Sequence, residues 1–236
     1  MQQATSKVVS EIPTPVVNPN GLQWADDELF IMDQQTDDVA VVDDEGHLLR
    51  RFETPTENGS GITVGGGYLW TASNGTTTAR PYKDTDTHVS GVLQLDLESG
   101  ELVARHPIGD TGIHGIEWDH DRNMLWYTAT GPKQIVLVDA LNGFEEKHRI
   151  QANLPRLHGM AIEGDGIWCA HTTDNVIVHY HMESGEELSR IEMGPEDPFV
   201  HGLTIRDGSL WFADANFAGK HSTGVRGRPA IGVIGR

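Results

Sequence analysis

Cysteine is almost absent from this sequence. Cys169 is the only one among 236 residues, which excludes an internal disulfide and a zinc site built from several cysteines. It directly follows Trp168 in an apolar segment with a strand-like pattern. We therefore expect a buried structural thiol and not a reactive one.

Basic residues are also scarce. The chain has 17 lysines and arginines against 35 aspartates and glutamates, which gives a formal net charge of −18. Binding of nucleic acid or of an anionic membrane needs a positive surface potential, so neither is expected as a partner. The sequence leaves the oligomeric state open.

Long apolar runs are missing. No segment approaches the roughly 18 apolar residues that suggest a membrane span. Residues 1–6 show no basic cluster followed by an apolar stretch, which is the pattern of a signal peptide. We therefore expect a cytoplasmic protein, or a secreted one whose signal peptide has been removed. Helical periodicity is absent from every long window as well.

What the sequence does contain is a repeat. The tetrapeptides IHGI, LHGM and VHGL, which carry His114, His158 and His201, recur 44 and 43 residues apart, and each is followed by an apolar residue and a tryptophan. A period in the forties is typical of a four-stranded propeller blade. The segments between are short, rich in β-branched and aromatic residues, and separated by turn signals such as Asn142-Gly143. They predict strands.

Aligned on this motif, the chain divides into five units. We predict an all-β fold, a five-bladed β-propeller that forms a single domain over residues 1–236, with blades at about 14–55, 56–107, 108–152, 153–194 and 195–236. The fifth unit lacks its fourth strand. Pairing residues 6–12 onto it closes the ring and removes the two exposed edges of an open array. Six or seven blades are the alternative, but no unassigned segment is long enough.

In a propeller, the residue before each repeat glycine should line one mouth of the central channel. These mouth residues are Asn20, Ser60, His114, His158 and His201. Neutral imidazole is a common metal ligand, and three protein ligands leave coordination positions open for substrate. We predict that the histidine triplet, His114, His158 and His201, binds a divalent cation (Mn, Fe, Zn, Mg or Ca). The alternative is that each histidine hydrogen-bonds to backbone at a repeated turn.

The ends of the second strands should lie near the same mouth. There the sequence has Asp33, His171 and Asp214 in three of the five units. They are candidate additional ligands, orienting groups for the histidine triplet, or general acids and bases. His171 is the preferred catalytic residue of this group because imidazole titrates near neutral pH.

Two insertions interrupt the repeat, at residues 74–90 and 216–229, in the same place in units two and five. Insertions in repeat proteins usually lie on one face, often the binding face. We interpret them as lids that recognise an anionic small-molecule substrate, with solvated loops as the alternative. Their basic residues suit a carboxylate: Arg80, Lys83, Lys220, Arg226 and Arg228.

The remaining candidate residues come from the insertions and the mouth. Tyr82, His88 and His221 lie in the insertions and are further catalytic candidates. Asn20, Ser60, Asp33 and Asp214 would complete the contacts to substrate.

The unit VHGL…DGSLWFAD, from Val200 to Asp214, resembles the repeat of the virginiamycin B lyase (streptogramin lyase) group and, more loosely, that of gluconolactonase-like propellers. Repeats of this type cover nearly the whole chain. The resemblance implies a β-propeller in which a divalent metal and repeat histidines near the channel support ring opening by elimination. The histidine triplet occupies such positions.

The chain also departs from that group. Virginiamycin B lyases are longer, with more blades, and their metal-site pattern places a glutamate two residues before a repeat histidine. Here those positions hold Gly112, Arg156 and Phe199.

Three functions follow as hypotheses. The first is a metal-dependent lyase that acts by β-elimination or ring opening on a small carboxylate-bearing substrate. The second is a metal-dependent hydrolase such as a lactonase, in which the metal activates water. The third is a propeller that binds or scaffolds without catalysis. The fold alone does not choose among them, because propellers support many functions.

Overall fold

The structure is a computed structural model that describes residues 6–109, 112–215 and 227–236. These residues form twenty strands in five four-stranded antiparallel sheets, arranged as a five-bladed β-propeller. The predicted fold class is therefore confirmed. No helix in the described ranges is able to span a membrane.

The strands run in chain order through the blades. They are β1 (Val8–Ile12), β2 (Pro19–Ala25), β3 (Glu28–Asp33), β4 (Asp38–Val42), β5 (Leu48–Glu53), β6 (Gly59–Gly65), β7 (Tyr68–Ser73), β8 (Gly91–Leu95), β9 (Leu102–Pro107), β10 (Ile113–Asp119), β11 (Met124–Ala129), β12 (Gln134–Asp139), β13 (Glu145–Gln151), β14 (Leu157–Glu163), β15 (Gly166–His171), β16 (Val176–His181), β17 (Glu187–Glu192), β18 (Val200–Arg206), β19 (Ser209–Asp214) and β20 (Ala230–Ile234).

The fifth blade combines the first of these strands with the last three. Its strand order is β1-β20-β19-β18, whereas the other four blades use four consecutive strands each. Strand β1 pairs with β20 in antiparallel register, with Ser10 opposite Val233 and Ile12 opposite Ile231. The predicted closing strand is confirmed.

Burial follows position within the blade. Second and third strands such as β3 and β4 are almost wholly buried, whereas the outer strand β5 is mostly exposed. Five apolar clusters lie between blades, each built from two neighbours; Trp126 of blade three, for example, packs with Met160 and Cys169 of blade four. Burial raises the pKa of the Cys169 thiol, in agreement with a structural role.

The inner strands approach one another at the five repeat glycines. A Cβ atom added to any of these glycines would overlap the carbonyl oxygen of a mouth residue in the next blade. The separations would be 2.2 Å from Gly21 to Ser60, 2.3 Å from Gly61 to His114, 1.9 Å from Gly115 to His158, 2.5 Å from Gly159 to His201 and 2.7 Å from Gly202 to Asn20. The last contact returns to the first blade, so the five contacts form a closed ring.

Each inner strand is also irregular at this point. The register between first and second strands shifts beside every mouth residue, for example between Ile113 and Ile116 and between Leu157 and Met160. A β-bulge inserts an unpaired residue and turns its side chain away from the regular alternation. The bulges therefore set the direction of the mouth side chains.

The glycine contacts predict a large effect of a single methyl group. Gly115→Ala should lower the free energy of unfolding by roughly 1 to 3 kcal/mol, because backbone from two blades must separate to admit it. Gly109→Ala is the control, since a Cβ there meets nothing within 4 Å. Urea denaturation of both variants measures the difference. Equal stability of the two would show that the blades are not held at this contact.

Candidate active site

The histidine triplet lies together at the mouth of the channel. The His114 and His158 ring centroids are 4.0 Å apart with 19° between the ring planes, so these two imidazoles stack. The His158 and His201 centroids are 5.0 Å apart at 86°, edge to face. His158 and His201 are buried, and His114 is partly buried. Three neighbouring blades thus bring three imidazoles into contact.

The ring nitrogens do not converge on one point in this arrangement. An imidazole lone pair lies in the plane of its ring, so two stacked rings direct their lone pairs side by side. Within the described ranges, the group whose ligand atoms all lie within 4.8 Å of one another is instead Asp43, Glu45 and His47. This group lies near the turn between β4 and β5, and its Glu45 and His47 side chains are exposed. For all three histidines to bind one metal ion, as the sequence suggested, at least one imidazole ring has to rotate.

Hydrogen bonding distinguishes the three rings. His201 has its Nδ1 2.8 Å from the carbonyl oxygen of Phe199, which favours a proton on Nδ1 and a lone pair on Nε2. The Nδ1 atoms of His114 and His158 are buried and have no hydrogen-bond partner among the residues that the structure describes. Buried polar atoms are normally satisfied, so each unsatisfied nitrogen indicates a missing partner.

Burial keeps His114 and His158 uncharged. Desolvation, followed by the nearby charges of Arg156 and His201, lowers the pKa of His114 to about 3. Desolvation also lowers the pKa of His158 well below its usual range, with His114 and His201 adding to the shift. Both rings are therefore neutral at physiological pH, the state in which imidazole binds metals.

The other two mouth residues are buried and engaged in the scaffold. Asn20 donates from Nδ2 to Gln34 at 2.8 Å, which leaves its Oδ1 without a partner. The Ser60 hydroxyl lies 3.0 Å from the carbonyl oxygen of His114, and Asn74 donates to that hydroxyl at 3.3 Å. Ser60 therefore links its blade to the next one, and the sequence prediction that it binds substrate remains a prediction.

The residues at the ends of the second strands hold the segments that lead into the first strands. Asp33 accepts from the amides of Val17 and Asn18 at 3.2 and 3.0 Å. Asp214 accepts from the amide of Phe199 at 3.0 Å. These carboxylates fix the backbone that leads to the mouth residues, and their expected roles as ligands, orienting groups for the histidines or acids and bases remain predictions.

His171 has the same role and no free nitrogen. Its Nδ1 lies 2.9 Å from the carbonyl oxygen of Pro155 and its Nε2 lies 2.9 Å from the Tyr180 hydroxyl. The side chain is fully buried, and desolvation lowers its pKa. The structure therefore shows a ring held inside its own blade, with both nitrogens engaged, in place of the available base expected from the sequence.

The first insertion is fastened by buried charges. Arg80 donates from Nε to Asp37 at 2.7 Å and from both terminal nitrogens to Asp86 at 2.9 and 2.7 Å. A further bond of 3.0 Å reaches the carbonyl oxygen of Thr56. The Arg80 guanidinium holds the pKa of Asp86 at about 2. All its nitrogens are thus occupied within the protein, and the structure gives Arg80 a structural role where the sequence suggested substrate binding.

The other candidates of the insertions are more exposed. Lys83 lies 3.7 Å from Asp38, and Arg228 pairs with Glu11 in the closing strand β1. Tyr82 is 65% exposed and stacks on His88 at 5.9 Å. Lys220, His221 and Arg226 lie outside the described residues.

Two residues near the axis were not selected from the sequence. Arg156 precedes β14 and stands close enough to His114 and His158 to lower the pKa of both. Glu117 in β10 is buried, with Oε2 unsatisfied, and desolvation raises its pKa well above the usual range. The sequence feature that could have pointed to Arg156 is its position two residues before a repeat histidine. For Glu117, that feature is an acidic residue within an otherwise apolar strand.

The low pKa values predict acid sensitivity that depends on His158. An unfolded histidine takes up its proton near pH 6.5, whereas the folded one stays neutral, so the free energy of unfolding falls as the pH drops below that value. His158→Asn should reduce the loss between pH 7 and pH 5 by about 2 kcal/mol. Urea denaturation with chelator present measures this. His120→Asn, an exposed histidine beside β10, is the control, and an unchanged loss in His158→Asn would contradict the prediction.

The charge cluster of Arg80 predicts an effect on stability. Its side chain and that of Asp37 are 6% and 0% exposed, so Arg80→Met should cost about 3 to 5 kcal/mol by leaving buried carboxylates unpaired. Lys83→Met in the same insertion, which loses a longer and more exposed pair, should cost about 1 kcal/mol or less. Thermal and urea unfolding compare the two. Equal losses of stability in the two variants would contradict a structural role for Arg80.

No family model matches the chain, and no curated protein matches it. Solved structures do. A glutaminyl cyclase from Myxococcus xanthus superimposes with a TM-score of 0.68 over 96% of this chain and 94% of its own, at 10% identity. A luciferin-regenerating enzyme gives a TM-score of 0.61 over 98% and 96%, at 12% identity.

Virginiamycin B lyase from Staphylococcus aureus, in a catalytically inactive form with quinupristin, gives a TM-score of 0.55 at 18% identity. The superposition covers 94% of this chain and 68% of the lyase. The resemblance to this lyase seen in the sequence is thus confirmed at the level of the fold. All three structural neighbours are enzymes, and at these identities what the chain shares with them is the fold.

Proposed function

We propose that the mouth carries the active site of a metal-dependent lyase, which acts by β-elimination or ring opening on a small carboxylate-bearing substrate. One observation carries this proposal. Three imidazoles from neighbouring blades lie in contact, and two of them, His114 and His158, are kept neutral by burial and have a buried Nδ1 without a partner among the described residues. Neutral imidazoles with unused lone pairs are suitable ligands for a divalent cation.

The donor set fits such an ion, with one requirement. His201 is already fixed by the Phe199 carbonyl, and the unsatisfied nitrogens of His114 and His158 would gain a partner. Because these two rings are stacked, one of them has to rotate for all three to bind one ion. A metal held there would polarise the substrate carboxylate or carbonyl and stabilise the negative charge that develops on it.

The chain itself supplies position and a proton acceptor. Asp33, His171 and Asp214 fix the segments behind the mouth. In an elimination, a base removes the proton from the carbon beside the carboxylate while the leaving group departs from the next carbon. His171 has both nitrogens engaged, so we assign the base to the insertions, where Tyr82, His88 and His221 are the candidates.

Metal content tests the proposal. Protein purified without a tag or added metal should carry close to one divalent ion per chain by elemental analysis. His114→Ala, His158→Ala and His201→Ala should each lose most of it, because three ligands are needed to hold an ion in an open site. His47→Ala is the matched control, since it removes a histidine from the exposed group of Asp43 and Glu45.

Two results would contradict the assignment. One is full metal content in all three mouth variants, and the other is loss of metal in the His47 variant alone. The reaction class is read from product mass. Elimination leaves the summed mass of the products equal to that of the substrate, whereas hydrolysis adds one water.

A further inference from the structure

Arg156 differs from the other arginines that the structure describes. Every other arginine in the described ranges has a carboxylate oxygen within 3.9 Å. The guanidinium of Arg156 makes no ion pair and no hydrogen bond with those residues. In a protein with 35 acidic side chains and 17 basic ones, most arginines find a carboxylate, so an arginine that has none among the described residues is a candidate to bind an anion from outside the protein.

The backbone of Arg156 is fixed in place. Its carbonyl oxygen accepts from the amide of Thr172 at 3.2 Å and from the Thr172 hydroxyl at 3.3 Å. Its φ of +52° lies in the left-handed region, which a bulky side chain rarely adopts. The side chain is half-buried. This attachment holds the start of the side chain next to β14, two residues before His158.

The guanidinium of Arg156 lies close enough to the imidazoles of His114 and His158 to act on both, and no carboxylate in the part of the chain that the structure describes pairs with it. An arginine that is not paired with a carboxylate attracts an anion more strongly than one that is. The planar guanidinium also matches a carboxylate with two parallel hydrogen bonds.

We propose that Arg156 binds the carboxylate of the substrate at the edge of the mouth, as a bidentate pair that places the adjacent carbons beside the histidine triplet. This deepens the proposed function, on which it rests for the identity of the ligand as a substrate. It also moves the anion-binding role away from Arg80, which is occupied by Asp37 and Asp86. Phosphate shares the same guanidinium chemistry, and the experiment separates the two anions.

Calorimetric titration with malonate and, separately, with inorganic phosphate tests the proposal on the protein as purified. Wild-type protein should bind malonate, and Arg156→Gln should bind it about tenfold more weakly or worse, since charged hydrogen bonds are lost. Arg156→Lys keeps the positive charge but loses the planar guanidinium that can form two parallel hydrogen bonds. Its affinity for malonate should therefore lie between those of the wild type and Arg156→Gln. Lys133→Gln, which removes an exposed charge from the turn between β11 and β12, should bind as the wild type does.

Three outcomes overturn the assignment: no malonate binding by the wild type, equal binding by wild type and Arg156→Gln, or binding of phosphate without malonate. Unchanged melting temperature in Arg156→Gln ensures that a loss of binding is not a loss of folding. The metal analysis is independent of this result. If the purified protein contains no metal but binds malonate through Arg156, the anion site is supported and the metal-dependent function is contradicted. If it contains metal but Arg156 does not contribute to malonate binding, only the anion site is contradicted.

Discussion

The structure depends on five backbone contacts in which a glycine of one inner strand lies against a carbonyl of the next. None of these glycines could carry a side chain without moving a neighbouring blade. The contacts bring the inner strands close enough for their mouth residues to touch across blade boundaries. The same close approach buries His158 and His201, so the feature that closes the ring also sets the environment of the histidine triplet.

Burial then decides the chemistry of the charged and titratable groups. The imidazoles of His114 and His158, which would be partly charged in water, are held neutral at the mouth. The other arginines that the structure describes are matched by carboxylates, and the buried cluster of Arg80 fastens an insertion to two blades. Arg156 differs because no carboxylate of the described residues pairs with it. The identity of a residue therefore says less about its role than the polarity of what surrounds it.

Much of the fold could be predicted from the sequence because the same motif, and with it the same strand arrangement, recurs in every unit. The glycine after each mouth residue, the aromatic residue in each second strand (Phe30 in the first, tryptophan in the other four) and the missing strand of the last unit together specify five blades and their closure. The neighbourhood of His114, His158 and His201 followed from the same alignment. Equivalent positions in a closed ring have to lie near one another.

The side-chain detail could not be predicted in this way. Whether His114 stacks on His158 or turns its nitrogen towards the axis depends on rotamers and packing. The spacing of residues along the sequence does not reveal these. Arg80 and Arg156 look alike in sequence, but their roles differ because Asp37 and Asp86 come near one of them through the fold. The role of His171 likewise depends on a carbonyl and a tyrosine that approach it in space.

The pairing of β1 with β20 has a consequence for biosynthesis. Strand β1 leaves the ribosome first of all the described strands, and its hydrogen-bonding partner leaves last. During translation the nascent chain can form hairpins and stack blades, but it has to keep its first strand unpaired until nearly the whole described sequence has been made. The ring therefore closes late, and the five mouth residues come together in their final arrangement only then.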